Sequence, residues 1–203
     1  MPTILLGTSN HNKRAELSEL LLPFGISICT LADFDVKPEV VEDGTSFIEN
    51  ARKKAVEYAR FFKMPTIADD SGVSVEVLDG APGIYSSRFA ATPTNPNPTS
   101  EANNKLLLER LASVPAEQRA AFYTCAAVFA ASSGEIICEA EQYCRGRIIF
   151  ELSGNEGFGY DPLFEIIEYH KTFGSICPAI KKAISHRARA MRKLIPIIIQ
   201  TKW

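Results

Sequence analysis

Apolar positions in the first third of the chain come as short runs separated by stretches of helical period. Residues 3–8, TILLGT, read as a short buried strand, and Asn10 caps a following helix whose Ala15, Leu17, Leu20 and Leu21 supply an apolar side. ISICTLADF reads as the next strand and its exit. Ser46, followed three residues later by Glu49, has the capping-box spacing, and Ala51, Ala55, Tyr58, Ala59 and Phe62 continue a helix on one face. MPTIAD is then a strand that ends at Asp69 and Asp70. Two adjacent ionised carboxylates repel each other, and each favours a turn over a strand interior.

Later the pattern changes. AATPTNPNPTS, residues 90–100, is a proline-rich loop, after which Ser100 caps the helix EANNKLLLERL. AFYTCAAVFAA and IICEAEQYCRGRIIFEL flank the turn SSGE and read as antiparallel strands. SGNEGFGYDP is a glycine-rich loop carrying two aromatics. Ser185 caps HRARAMRKLI, in which Ala188, Met191, Leu194 and Ile195 form a buried stripe, and Pro196 bends or ends that helix. Strand–helix alternation followed by a hairpin predicts an α/β fold, a central mixed β-sheet flanked by helices rather than a purely parallel one.

Composition narrows the class. With 203 residues, 46% of them hydrophobic, residues 1–203 fit one domain, or one domain split by a cleft, with a core that needs no staples. The five cysteines are odd in number and lack a CxxC pair, which argues for reduced thiols rather than a disulfide framework or a zinc site. The N-terminus has no basic region and only a short apolar run, and no segment is long enough to span a bilayer. The expectation is a cytoplasmic protein with no membrane partner. The formal net charge of −2 hides an asymmetry: residues 169–203 hold eight Lys or Arg and no acid. Those bases are interleaved with apolar residues at helical spacing, as in a folded amphipathic helix, so no nucleic-acid partner is expected. A polyanionic small molecule held between acids with a metal and a basic face suits this distribution at least as well.

Four loops carry candidate chemistry. GTSNHNKR, residues 7–14, lies between a strand and a helix, where Ser9, Asn10, the first-turn amides and Lys13 can bind phosphate oxygens, although the Walker A glycine and Lys-Ser or Lys-Thr pair are missing. Glu42, in VEDGTSFIENA, precedes a glycine turn, and with Asp69 or Asp70 it supplies the hard oxygen ligands that Mg²⁺ prefers. GFGYDP sets Phe158 and Tyr160 between small residues, where a ring either plugs the core or stacks on a nucleobase with Asp161 nearby. In KKAISHR, His186 and Arg187 occupy a first helical turn, where cations work against the helix dipole; that local cost suggests a compensating partner, most simply an acceptor-rich ligand.

Taken in order, TSNHNK, EDGTSFIENARKKA, IADDSGVSVEVLDGAPGIYSSRFA, GFGYDPLF and AISHR resemble the inosine triphosphate pyrophosphatase family of the Ham1 type, over nearly the whole chain. The resemblance implies an elongated two-lobed α/β fold with the active-site cleft between lobes, a homodimer, and hydrolysis of ITP, dITP and XTP to the nucleoside monophosphate and pyrophosphate. It makes ADDSG the metal and catalytic turn. It further implies that Thr8, Ser9, Asn10, His11, Asn12 and Lys13 hold the triphosphate, and that Glu42 and Asp70 bind Mg²⁺, with Mn²⁺ as the alternative. Asp70 is then the base for the attacking water, and Ser71 contacts the substrate. Phe158, Gly159, Tyr160 and Asp161 enclose base and sugar, and Lys181, His186 and Arg187 read the purine edge.

The chemistry is coherent. Water is a poor nucleophile and the α-phosphate is shielded by negative oxygens, so neutralisation by Mg²⁺ and Lys13 and an oriented base are both needed. The 6-oxo group of hypoxanthine or xanthine accepts hydrogen bonds where the adenine 6-amino group donates them. Donors facing that edge therefore reject ATP, by factors of roughly 10⁴ for mismatches of this polar kind. A nucleotide-binding regulator without turnover is the alternative, and Asp70→Asn separates the two.

Overall fold

The structure is a computed structural model that describes residues 3–201. Seven strands form one mixed sheet in the order β2-β1-β3-β4-β5-β6-β7. β1 is Thr3–Leu6, β2 Ser27–Thr30, β3 Thr66–Val75, β4 Ala120–Ala130, β5 Ile136–Ile148, β6 Phe164–Ile166 and β7 Lys171–Thr172. The helices are α1 (His11–Leu21), α2 (Phe47–Phe62), α3 (Ser100–Arg110), α4 (Pro178–Ile184) and α5 (His186–Gln200). β1 pairs in parallel with both β2 and β3, whereas β6 is antiparallel to β5 and β7, so the α/β fold with a mixed sheet is as expected.

The chain divides into two compact units, and the division falls inside β3, β4 and β5. One unit comprises Met1–Asp70, Cys125–Gln142 and His186–Trp203, the other Ser71–Thr124 and Tyr143–Ser185. In the first, alternate strand residues serve opposite faces. Ile67, Cys125, Ala127 and Phe129 pack with Leu17 and Leu21 of α1 and Ala190, Met191, Leu194 and Ile195 of α5. Their neighbours Ala68, Ala126, Val128 and Ala130 pack with Ala51, Ala55 and Ala59 of α2. The second unit has its own core, in which Val73, Leu107, Tyr123, Ile148, Leu163 and Phe164 are buried and the Phe164 and Phe173 rings stack at 5.4 Å.

Local sequence explains most helix starts. Asn10 caps α1 as expected, its Oδ1 accepting from the amides of Asn12 and Lys13 at 2.9 and 3.1 Å. Ser46 Oγ accepts from Glu49 N in α2, but the Glu49 carboxylate reaches back to Thr45, at 2.7 Å from its amide, which widens the capping box by one residue. Thr99, not Ser100, caps α3: its Oγ1 accepts from Ala102 N at 3.2 Å, and Ser100 is the first helical residue. Pro196 neither ends nor marks the end of α5, which runs to Gln200. Leu194, Ile195 and Ile198 stay buried around it, and that apolar stripe holds the helix across one missing amide.

The largest departure from expectation is β3. It does not stop at the acid pair but continues through Asp69, Asp70, Ser71 and Gly72 to Val75, so ADDSG is strand and not turn. The strand persists because consecutive side chains diverge and each carboxylate meets its own cations. Gly72 is required for packing: a Cβ there would lie 2.4 Å from Ser86 Oγ, which accepts from Val73 N at 2.9 Å and donates to Gly83 O at 2.6 Å.

Candidate active site

β1 ends at Leu6, which is in register with Ile67, so Asp69 and Asp70 extend past the carboxyl end of that parallel strand. Crevices at such ends are where open α/β sheets bind ligands. Asp70 points to the α2 side. Its Oδ1 lies 3.3 Å from Lys54 Nζ and its Oδ2 accepts from Asn50 Nδ2 at 3.2 Å. Glu42, on the extended segment before α2, accepts from the same Lys54 Nζ at 2.9 Å. Two carboxylates therefore converge on one buried ammonium.

The segment bearing Glu42 is pinned at several points. Asp43 pairs with Lys53 at 2.7 Å, and Gly44 N donates to Asn50 Oδ1 at 2.8 Å. Asn50 thus holds both the loop of Glu42 and the carboxylate of Asp70.

Asp69 points the other way and is only 1% exposed. Its Oδ2 accepts from Arg187 Nη2 at 3.2 Å and lies 3.2 Å from Lys13 Nζ. The buried Cys125 thiol donates to the same oxygen at 3.8 Å. Arg187 also pairs with Glu16 of α1. Its guanidinium thus faces two protein carboxylates, so the compensating partner of this cation is the protein itself rather than the acceptor-rich ligand expected from the sequence. Asp69 Oδ1 is buried and has no hydrogen-bond partner among the described residues.

The charges sort the acids. Burial alone would raise the Asp69 carboxyl, but Lys13 and Arg187 overcome it and hold the group well below the usual carboxylate range. Burial likewise opposes Glu42, and Lys54 with Lys13 brings it below its ordinary value. Asp70 is raised: burial dominates, Lys54 and Lys13 offset it only in part, and Glu42 adds repulsion. Burial opposes the Lys54 ammonium too, but Asp70 and Glu42 outweigh it, so its pKa rises and it keeps its proton.

Lys13 brings its charge to this centre from the first turn of α1, which contains no acid. In the preceding loop Thr8 Oγ1 accepts from Asn10 N at 3.2 Å. The amides of Asn12 and Lys13 already serve the Asn10 cap, so the loop offers an anion chiefly side chains and the positive end of the helix. Ser9 and Asn12 are exposed, and so is His11, whose Nδ1 accepts from Arg14 Nη2 at 2.6 Å. Ser71 follows Asp70 in β3, and His186 is buried at the start of α5.

In the second unit, Gly157 and Gly159 take positive φ angles of 75° and 62°, a conformation that suits glycine, and so set Phe158 and Tyr160 on a tight turn. Asp161 Oδ2 accepts from Phe158 N at 2.8 Å and from Lys181 Nζ at 2.7 Å. The Lys181 ammonium lies 5.2 Å from the centroid of the Phe158 ring. Tyr160 is buried and donates its hydroxyl to Ser86 O at 2.8 Å, so of the two aromatics it is the core plug.

Lys54, Asn50 and Glu16 escape a motif reading. A signal for the first two exists: Asn50 and Lys54 share the face of α2 that carries Ala51 and Ala55, and polar residues in a buried stripe need partners. Arg187 has the same signal, four residues before Met191 on the buried side of α5.

As a donor set, Glu42 and Asp70 fit Mg²⁺, which takes one or two carboxylates and completes its octahedron with waters and substrate phosphates. No group of three or more His, Cys, Asp or Glu suited to a metal occurs among the described residues. Among the described residues no helix is long and apolar enough to cross a membrane, and none of the five cysteines is in a disulfide.

Comparison with known proteins covers the same ground. The sequence model described as Ham1 family matches residues 4–197. The chain is 44% identical over 197 residues to a dITP/XTP pyrophosphatase of Rhodopirellula baltica, covering 97% of this chain and 93% of the relative. It is 43% identical over 195 residues to a dITP/XTP pyrophosphatase of Desulforamulus reducens, covering 96% and 94%. Among solved structures, a HAM1 protein from Coxiella burnetii superposes with a TM-score of 0.87 at 32% identity, covering 99% of this chain and all of that one.

Proposed function

The chain belongs to the Ham1 family, and from that premise we propose that it is a nucleoside-triphosphate pyrophosphatase acting on dITP, XTP and ITP. Water attacks the α-phosphorus, the bond from that phosphorus to the bridging oxygen breaks, and the products are the nucleoside monophosphate and pyrophosphate. One observation carries the reading: Glu42 and Asp70 converge on Lys54 beside Lys13, a centre of two acids and two cations suited to a polyphosphate and its metal.

Each residue has a task in this reading. Asp70, raised by burial and still tied to Lys54 and Asn50, accepts the proton of the attacking water. Lys13 neutralises phosphate charge from the first turn of α1, with Thr8, Ser9, Asn10, His11 and Asn12 around it. Glu42 and Asp70 hold Mg²⁺, for which Mn²⁺ can substitute, and the ion when bound neutralises the phosphate oxygens. Asp69 and Arg187 act one step behind, since Asp69 meets Lys13 rather than open solvent. Phe158 stacks on the base, Lys181 supplies a donor to the 6-oxo edge, and His186 and Ser71 complete the substrate contacts. A homodimer belongs to the same reading, and sedimentation tests it.

The experiment is Asp70→Asn assayed for both turnover and binding. The pyrophosphatase loses its rate and still binds dITP, whereas a nucleotide-binding protein without turnover has no rate to lose.

A further inference from the structure

Helix α3 carries two adjacent asparagines that are both buried, and their side chains are spent differently. Asn103 uses both ends of its amide: Oδ1 accepts from Ala90 N at 2.8 Å and Nδ2 donates to Ser87 O at 3.1 Å. Asn104 makes one bond, from Nδ2 to the carbonyl oxygen of Gly159 at 3.1 Å. Its Oδ1 is buried with no hydrogen-bond partner among the described residues. The orientation is fixed by the partner, because the flipped amide would set oxygen against oxygen.

A buried amide with its acceptor unmet works against stability. Three residues further along the helix, Leu107 is buried in the apolar core of this unit, so an apolar side chain at 104 would suit the packing better. Asn104 therefore reads as a residue kept for what its donor holds. Gly159 is one of the two positive-φ glycines of the aromatic turn, the one between Phe158 and Tyr160. The turn is otherwise closed by Asp161 N on Phe158 O, by Phe158 N on Asp161 and by the Tyr160 hydroxyl on Ser86 O, and the Gly159 carbonyl is where α3 grips it.

We infer that Asn104 is a positioning residue for the nucleobase: by holding the Gly159 carbonyl it fixes the turn that presents the Phe158 ring. The inference rests on the nucleotide reading given above. It assigns to α3 a part in base recognition although Asn104 itself touches no substrate.

The test compares wild type, Asn104→Leu and Asn104→Ser for KM and kcat with dITP, together with their thermal unfolding, and adds Phe158→Ala alone and combined with Asn104→Leu. KM should rise about tenfold in both Asn104 variants, the size of one lost hydrogen bond at a buried carbonyl. In contrast, kcat should stay within about threefold of wild type. In the Phe158→Ala background Asn104→Leu should add nothing, because both changes act through one ring. A purely structural Asn104 would alter the unfolding temperature and leave KM alone, and that result overturns the inference. So does an undiminished tenfold rise on top of Phe158→Ala. If wild type releases no pyrophosphate from dITP, the hydrolytic reading fails, and calorimetric binding of dITP to wild type and Asn104→Leu decides Asn104 separately: tenfold weaker binding supports it, and equal binding or none overturns it.

Discussion

Arg187 and Asp69, 118 positions apart, form a buried ion pair in which Nη2 and Nε lie 3.2 and 3.3 Å from one carboxylate oxygen. The pair explains how β3 can carry two adjacent acids through a sheet. Asp69 is neutralised on one face by Arg187 and Lys13, and Asp70 on the other by Lys54, so the like charges that should break the strand are each matched.

Breaking that pair should therefore be expensive. Arg187→Leu leaves the Asp69 carboxylate buried with Lys13 as its one remaining close cation, and urea unfolding should show a loss of about 3–5 kcal/mol. Asp69 has a folded pKa below its unfolded one. Its contribution is thus present above the ordinary carboxylate range and is lost as pH falls toward the folded value. Wild type should weaken on acidification below about pH 4, with a shallower dependence in Arg187→Leu. A loss under about 1 kcal/mol would mean the pair is not what holds Asp69.

Lys54 should prove as important as the acids it joins. Lys54→Met removes the attraction that keeps Asp70 ionisable, so its pKa, already raised, should rise further. The acidic limb of the kcat/KM profile should start above the ordinary aspartate range in wild type and move to still higher pH in the variant. At neutral pH the rate should fall by about 10²–10³. Coincident limbs in the two profiles would separate Lys54 from the titration of Asp70.

The aromatic turn should govern KM. Phe158→Ala should raise KM for dITP by about 10-fold to 100-fold, the range of one lost base–aromatic stack, with kcat little changed. Phe158→Trp should retain most of the affinity. Equal loss in both variants would point to packing rather than stacking.

Much of this was readable in the sequence, and the exceptions share a cause. Strand β1, the Asn10 cap, the α2 face and the buried stripe of α5 follow from apolar spacing and local capping chemistry, which are short-range properties. The acid pair reads as a turn from local sequence because the cations that let it stay in a strand lie at Lys13, Lys54 and Arg187, none of them local. Helix α4 and the short strands β6 and β7 have too few residues to show a period. The cations at Lys54 and Arg187 resemble solvated helix charges until their position on a buried stripe is noticed. Arg187 shows the same limit: its place at a helix start suggests an acceptor-rich ligand, and its acceptors are Asp69 and Glu16, 118 and 171 positions away.

A second buried arginine offers a control, since the acceptors of its side chain are backbone carbonyls. Arg119 has three backbone carbonyls as acceptors: Leu111 O at 2.5 Å, Val114 O at 2.9 Å and Ile149 O at 3.2 Å. Arg119→Met leaves these carbonyls short of donors and should cost about 3 kcal/mol in urea unfolding. Specific activity per folded molecule should be unchanged.

The most direct test is product analysis. The protein is incubated with dITP, XTP, ITP, ATP and GTP, each with Mg²⁺ and again with excess EDTA, and pyrophosphate and orthophosphate are measured separately. The account predicts pyrophosphate and the nucleoside monophosphate from dITP, XTP and ITP, little from ATP or GTP, and none with EDTA. Orthophosphate as the direct product, or equal turnover with and without the metal, would contradict it.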